Sequence, residues 1–99
     1  MSIDASMTVK VLTAEGLVCE DEAVSVQAPG ARGYLGVLRG HAPLVTSLQP
    51  GKFSWRRVDG EPRAVRIGEG LMEVLRNRVT VLTDRCAPAR PEEPAGPLQ

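Results

Sequence analysis

The chain has 99 residues, twelve Lys and Arg balanced by twelve Asp and Glu, and an apolar fraction of 42%. That length allows one small domain and no second core, with the usual ~5–15 kcal/mol of net stability at most. Zero net charge argues against a protein whose main task is gripping phosphate backbones. No run approaches the ~20 apolar residues that span a bilayer.

The opening MSIDASM lacks a basic region followed by an apolar run, so no secretory signal is expected. The expectation is a soluble, cytoplasmic protein, free to sit on a membrane complex. Residues 1–6 read as a tail, 7–86 as the folded domain and 87–99 as a second tail.

From Met7 onward the pattern is one of short strands. Val9 and Val11 alternate with Thr8 and Lys10; Val24, Val26 and Ala28 alternate with Ala23, Ser25 and Gln27. Phe53 and Trp55 alternate with Lys52, Ser54 and Arg56, while Val65 and Ile67 flank Arg66 and Val79 and Val81 flank Thr80. A two-residue side-chain period suits half-buried strands, whose successive side chains point to opposite faces. Pro29-Gly30 and Pro50-Gly51 read as turns that use a fixed φ and a tolerant glycine, and Asp59-Gly60 reads as a hairpin turn. Leu71 to Arg76 contains good helix formers, but its shortness between Gly70 and Asn77 favours a strand. The acidic run Glu20-Asp21-Glu22 reads either as a contact for a basic partner or as a solvated turn. The predicted fold is all-β, a flattened antiparallel β-sandwich of about eight to ten short strands.

Past Cys86 the composition changes to APARPEEPAGPLQ, with Pro88, Pro91, Pro94 and Pro97. Proline lacks a backbone donor and resists helix and central strand, so this tail is expected to be disordered; the rival reading is a polyproline II docking peptide. Cys19 and Cys86 lie far apart in sequence. Without a signal peptide they read as reduced, structural thiols, and with one histidine they are too few for zinc.

His41 is the sole histidine, and no nucleophile, metal motif or orienting partner at recognisable spacing accompanies it. Gly36 to Gly40 lacks the Gly-Lys-Ser/Thr ending of a phosphate loop. No enzymatic activity, cofactor or metal is therefore expected. A weaker alternative is a small all-β interaction or single-stranded nucleic-acid-binding module, with Phe53 and Trp55 as a stacking platform beside Lys52, Arg56 and Arg57.

One block is more specific. GYLGVLRGHAPLVTSLQPG, Gly33 to Gly51, is similar to the G-x-L-G-[IV]-x-x-G-H-A-P-L-x-[ST]-x-[IL]-x-P-G pattern of the epsilon subunit of F-type ATP synthases. IGEGLMEV (Ile67 to Val74), VTVLTD (Val79 to Asp84) and the opening VKVLTAEGLV (Val9 to Val18) resemble the family's other blocks in the same order. The resemblance implies a non-catalytic rotor subunit of the central stalk, on the cytoplasmic face of the cell membrane, that docks on the gamma subunit and the membrane c-ring. It places His41, Ala42, Pro43, Leu44 and Thr46 against gamma, and the loop with Arg32, Gly33, Tyr34 and Arg39 toward the ring. Tyr34 departs from the acidic or polar residue frequent in the family there. The family's C-terminal helical hairpin, which restrains hydrolysis and in some members binds ATP, has no counterpart expected in the Pro-rich tail. No ATP binding is expected of this chain, and no nucleic-acid partner.

Overall fold

In the computed structural model, residues 6–95 are described, and all the regular structure among them is strand. Nine strands follow one another: β1 (Met7–Thr13), β2 (Gly16–Gly30), β3 (Gly33–Leu38), β4 (Leu44–Leu48), β5 (Gly51–Arg57), β6 (Pro62–Ile67), β7 (Gly70–Leu75), β8 (Arg78–Thr83) and β9 (Cys86–Ala89). Leu71 to Leu75 is thus extended, and its alternation puts Met72 and Val74 inside. β1 and β2 form a hairpin, and the β5–β6 hairpin falls where the sequence puts it, with Gly60 at φ 92° closing it.

The long β2 organises the molecule. Its N-terminal half pairs with β1, and beyond a register shift between Ala23 and Ser25 it pairs with β5 and β3. That bulge lets β2 pass from one layer to the other. It also breaks the expected alternation, so that Ala23 is buried and Val24 only half-buried. One layer runs β2(N-terminal half)-β1-β8-β7-β4, the other β3-β2(C-terminal half)-β5-β6-β9. All pairs are antiparallel except β1–β8, which is parallel. Between the layers lie Met7, Val9, Val11, Val26, Val37, Phe53, Ile67, Met72, Val74, Val79 and Val81.

Three expectations change. Pro29-Gly30 is the paired end of β2, opposite Tyr34 and Gly33, and the turn sits one step later at Ala31-Arg32. Neither Gly30 nor Gly51 has positive φ. Gly51 is required instead by space, because a Cβ there would come within 2.9 Å of the Tyr34 hydroxyl and 3.1 Å of the Pro29 Cβ.

The acidic run is strand, not turn. Asp21 accepts from the Trp55 indole Nε1 at 2.9 Å and pairs with Arg57 Nε at 3.0 Å, while Glu22 accepts from the Ser6 and Thr8 hydroxyls.

The tail expected to begin at residue 87 starts inside β9, with Pro88 opposite Val65 on an edge strand, where a missing donor is tolerated. Residues 90–95 then cross the outer face of the second layer. Lys52 Nζ donates to the carbonyls of Pro91 and Glu93, Arg66 pairs with Glu93 at 3.5 Å, and the Ala95 carbonyl lies within hydrogen-bond reach of the Tyr34 hydroxyl and the Lys52 amide. Residues 96–99, with Pro97, lie outside the described residues.

Candidate partner-docking site

Among the described residues the sandwich is open along two sides; on one of them β4 keeps most of an edge unpaired beside the unpaired edge of β3. The segment 39–43 joins those two strands at one end. Gly40 there adopts φ 84°, which a side chain would strain. Its amide donates to Asn77 Oδ1 at 2.7 Å, and the His41 amide donates to the Leu38 carbonyl at 3.0 Å. The segment around His41 is therefore held from the β7–β8 turn. Arg76 and Asn77 are both at positive φ, 50° and 62°, as a two-residue hairpin turn of the mirror-image type requires. Sequence reasoning missed Asn77 as a site residue; the Arg-Asn pair between two strands signals the turn, but nothing local signals what its carboxamide holds.

His41 is half-buried, and its Nδ1 donates to the Ala42 carbonyl at 2.7 Å. Ala42 and Pro43 are exposed. Leu44 and Thr46 turn inward, paired with the buried Val74 and Met72. What β4 presents outward is Val45, 63% exposed, and the end of β3 presents Leu38, also 63% exposed. These two apolar side chains flank the pinned segment, and the expected residue set contained neither.

The first layer's outer face continues the apolar surface. Leu71, Leu82, Leu12 and Leu17 are directly paired across four adjacent strands, and three of them are 43–53% exposed.

Arg32, Gly33, Tyr34 and Arg39 do not form one loop. Arg32 lies in the β2–β3 turn and Gly33 opens β3 beside it, whereas Arg39 follows the far end of β3, about 20 Å away at the usual rise per residue. The Tyr34 hydroxyl donates to the Lys52 carbonyl at 2.8 Å and receives the Lys52 amide at 2.9 Å, so its polar end is bound within the domain. Arg39 belongs with His41, and Arg32 with the opposite end.

The nucleic-acid alternative loses its platform. Phe53 is fully buried, Trp55 is 7% exposed, and their rings meet at 5.8 Å inside the core. Among the described residues no cluster of His, Cys, Asp or Glu is arranged to hold a metal ion.

An all-strand domain with a stiffened, apolar-rimmed end is an interaction module in form. The chain belongs to the ATP synthase delta/epsilon chain β-sandwich domain family, whose model matches residues 6–89. It is 43% identical over 84 residues to the ATP synthase epsilon chain of Koribacter versatilis and 42% identical over 80 residues to that of Moorella thermoacetica. These matches take in 85% and 81% of this chain but 57% and 60% of those relatives. In fold it resembles a chain of the Euglena gracilis mitochondrial ATP synthase (OSCP/F1/c-ring), with a TM-score of 0.80 over 89% of this chain and 56% of that one, at 21% identity. A chain from the Tetrahymena thermophila mitochondrial central stalk and c-ring superposes with a TM-score of 0.67 over 81% of this chain and 64% of the other, at 15% identity.

Proposed function

We propose that this domain is the non-catalytic β-sandwich of a rotor subunit in an F-type ATP synthase, on the cytoplasmic face of the membrane. It joins the gamma subunit to the c-ring, so that ion flow and ATP chemistry turn together. Membership of the epsilon-chain family supports the assembly. The observation that carries the docking mode is the pair Leu38 and Val45, both 63% exposed on either side of a segment pinned by Asn77.

A rotor contact must transmit torque without slipping, which favours a preorganised surface over a mobile loop. Gamma meets His41, Ala42 and Pro43 together with Leu38, Val45 and Arg39, while Leu44 and Thr46 set the course of β4 from beneath. The ring meets the opposite end, at the Arg32-Gly33 turn. Tyr34 acts there by fixing that turn to Lys52, not by touching the ring. The domain supplies no ATP site, and its role is mechanical.

The test is co-purification with a tagged gamma subunit from the same cell. A one-to-one complex with the native chain, lost with Leu38→Asp/Val45→Asp while the melting temperature holds, supports this placement. An undiminished complex with that variant moves gamma elsewhere on the sandwich. No complex with the native chain at low salt ends the rotor reading.

A further inference from the structure

The second open side lies between the N-terminal half of β2 and β9. Among the described residues each of these strands is hydrogen-bonded on one flank only, β2 to β1 along this stretch and β9 to β6. A cavity of about 400 Å³ separates them, lined by Val18, Cys19 and Asp21 from β2, Cys86 and Pro88 from β9, and Trp55 from below. Cys19 pairs with the buried Val11 and Cys86 with the buried Ile67, so both thiols share the inward faces of their strands. Both are half-buried and free, and both pack on the core.

We propose that Cys19 and Cys86 form a dithiol site, converted to an internal disulfide by thiol–disulfide exchange with a small disulfide such as oxidised glutathione. The thiolate of one cysteine attacks a sulfur of the small disulfide, giving a mixed disulfide and releasing one small thiol. The thiolate of the other cysteine then attacks the protein-side sulfur and releases the second. Two protein thiols become one S–S bond, the small disulfide is reduced to two thiols, and these carry away both protons.

Three features favour the pairing. The thiols reach the same cavity from facing edges. A charge on Cys86 opposes one on Cys19, a sign of their proximity. Bridging needs Cα atoms within about 7 Å, and singly paired edge strands are the elements able to draw together. The four-residue β9 has the least to lose by moving.

The bond would tie the C-terminal strand, and with it the segment crossing Lys52, to the start of β2. Burial, then the neighbouring Cys86 and Asp21 charges, push the Cys19 thiol up to about 11. The reaction is therefore slow at neutral pH and accelerates about tenfold per pH unit through the thiolate.

The experiment incubates the intact chain with oxidised glutathione at pH 8 and follows intact mass, a non-reducing peptide map and thermal melting. The expected product has lost two hydrogens, joins the Cys19 and Cys86 peptides, melts several degrees higher and reverts with dithiothreitol. Amide exchange in β9 slows in the same product. Cys19→Ser and Cys86→Ser each gain one glutathione and melt no higher. Stable glutathione adducts on both cysteines of the native chain, intermolecular dimers, or no reaction in the folded chain while the urea-unfolded chain oxidises would each overturn the proposal.

Discussion

The two open sides of this sandwich are finished in different ways. On the β2–β9 side the polar groups are spent internally: Asp21 bridges Trp55 and Arg57, and the segment that follows β9 is laced across the outer face of the second layer to Lys52 and Arg66. Along β3 and β4 the pins to the connecting segment are the Asn77 carboxamide and short backbone bonds, and Leu38 and Val45 face water. A domain of 99 residues has little stability to spare. Spending the polar groups of one side within the domain and leaving the other apolar is how so small a fold can be stable and still have something to dock. The difference predicts that substitutions on the first side change stability and those on the second change binding.

Asp21→Ala is the harshest test of the first side. It leaves the buried indole N–H of Trp55 without its acceptor, and a stranded donor costs about 1–3 kcal/mol. The denaturant midpoint should fall accordingly, with gamma binding intact once the chain is folded. A loss under about 0.5 kcal/mol, the ordinary range for surface substitutions, would mean that the carboxylate is not what holds that side.

Asn77→Gly asks the opposite question. Glycine keeps the positive φ of 62° without strain but removes the acceptor for the Gly40 amide. Global stability should change little, while exchange of the Gly40 amide quickens. Gamma should bind roughly threefold to tenfold more weakly, because ordering the freed segment then costs about 0.5–1.5 kcal/mol on association. Unchanged affinity would show that the pin is not needed for docking. Its neighbour gives a control on the turn itself: Arg76→Gly relieves a non-glycine residue at φ 50° and should raise stability by about 0.5–1 kcal/mol, read by thermal melting.

The contrast between the sides was only half legible in the sequence. Strands such as Val9 to Val11 and Phe53 to Trp55 declare themselves, because alternation is a local property and the layers need it. The epsilon-like block gave the segment around His41 and the strand after it. Which β4 residues face outward was not legible: Leu44 and Thr46 belong to the quoted pattern, yet their pairing with Val74 and Met72 turns them inward and leaves Val45 exposed. Asp21 was misread because an acidic triplet looks like solvated turn, while its partners lie 34 and 36 residues away. The tail was misread for a related reason. Proline removes donors but leaves carbonyls, and it is the carbonyls of Pro91, Glu93 and Pro94 that Lys52 and Arg66 hold.

The smallest effect concerns that laced segment and has a definite sign with pH. The Arg90 amide, which donates to Glu93 Oε2 at 3.1 Å, and then Arg66 hold the Glu93 carboxyl below the usual glutamate value. A carboxyl depressed by folding contributes stability that is present above its unfolded pKa of about 4.3 and is lost as pH falls through the lower folded value. The segment should therefore stay fastened from neutral pH to about pH 5 and loosen below pH 4. Carbon-13 NMR titration of the Glu93 carboxyl, followed together with the Lys52 amide resonance, should show both moving in one step below the ordinary glutamate midpoint. In Arg66→Gln the step should shift upward, because the charged partner has gone while the Arg90 amide remains. A Glu93 midpoint at or above the ordinary value in the native chain would mean that the segment is held by its backbone carbonyls alone. The C-terminal segment would then owe its fastening to Lys52 and not to an ion pair.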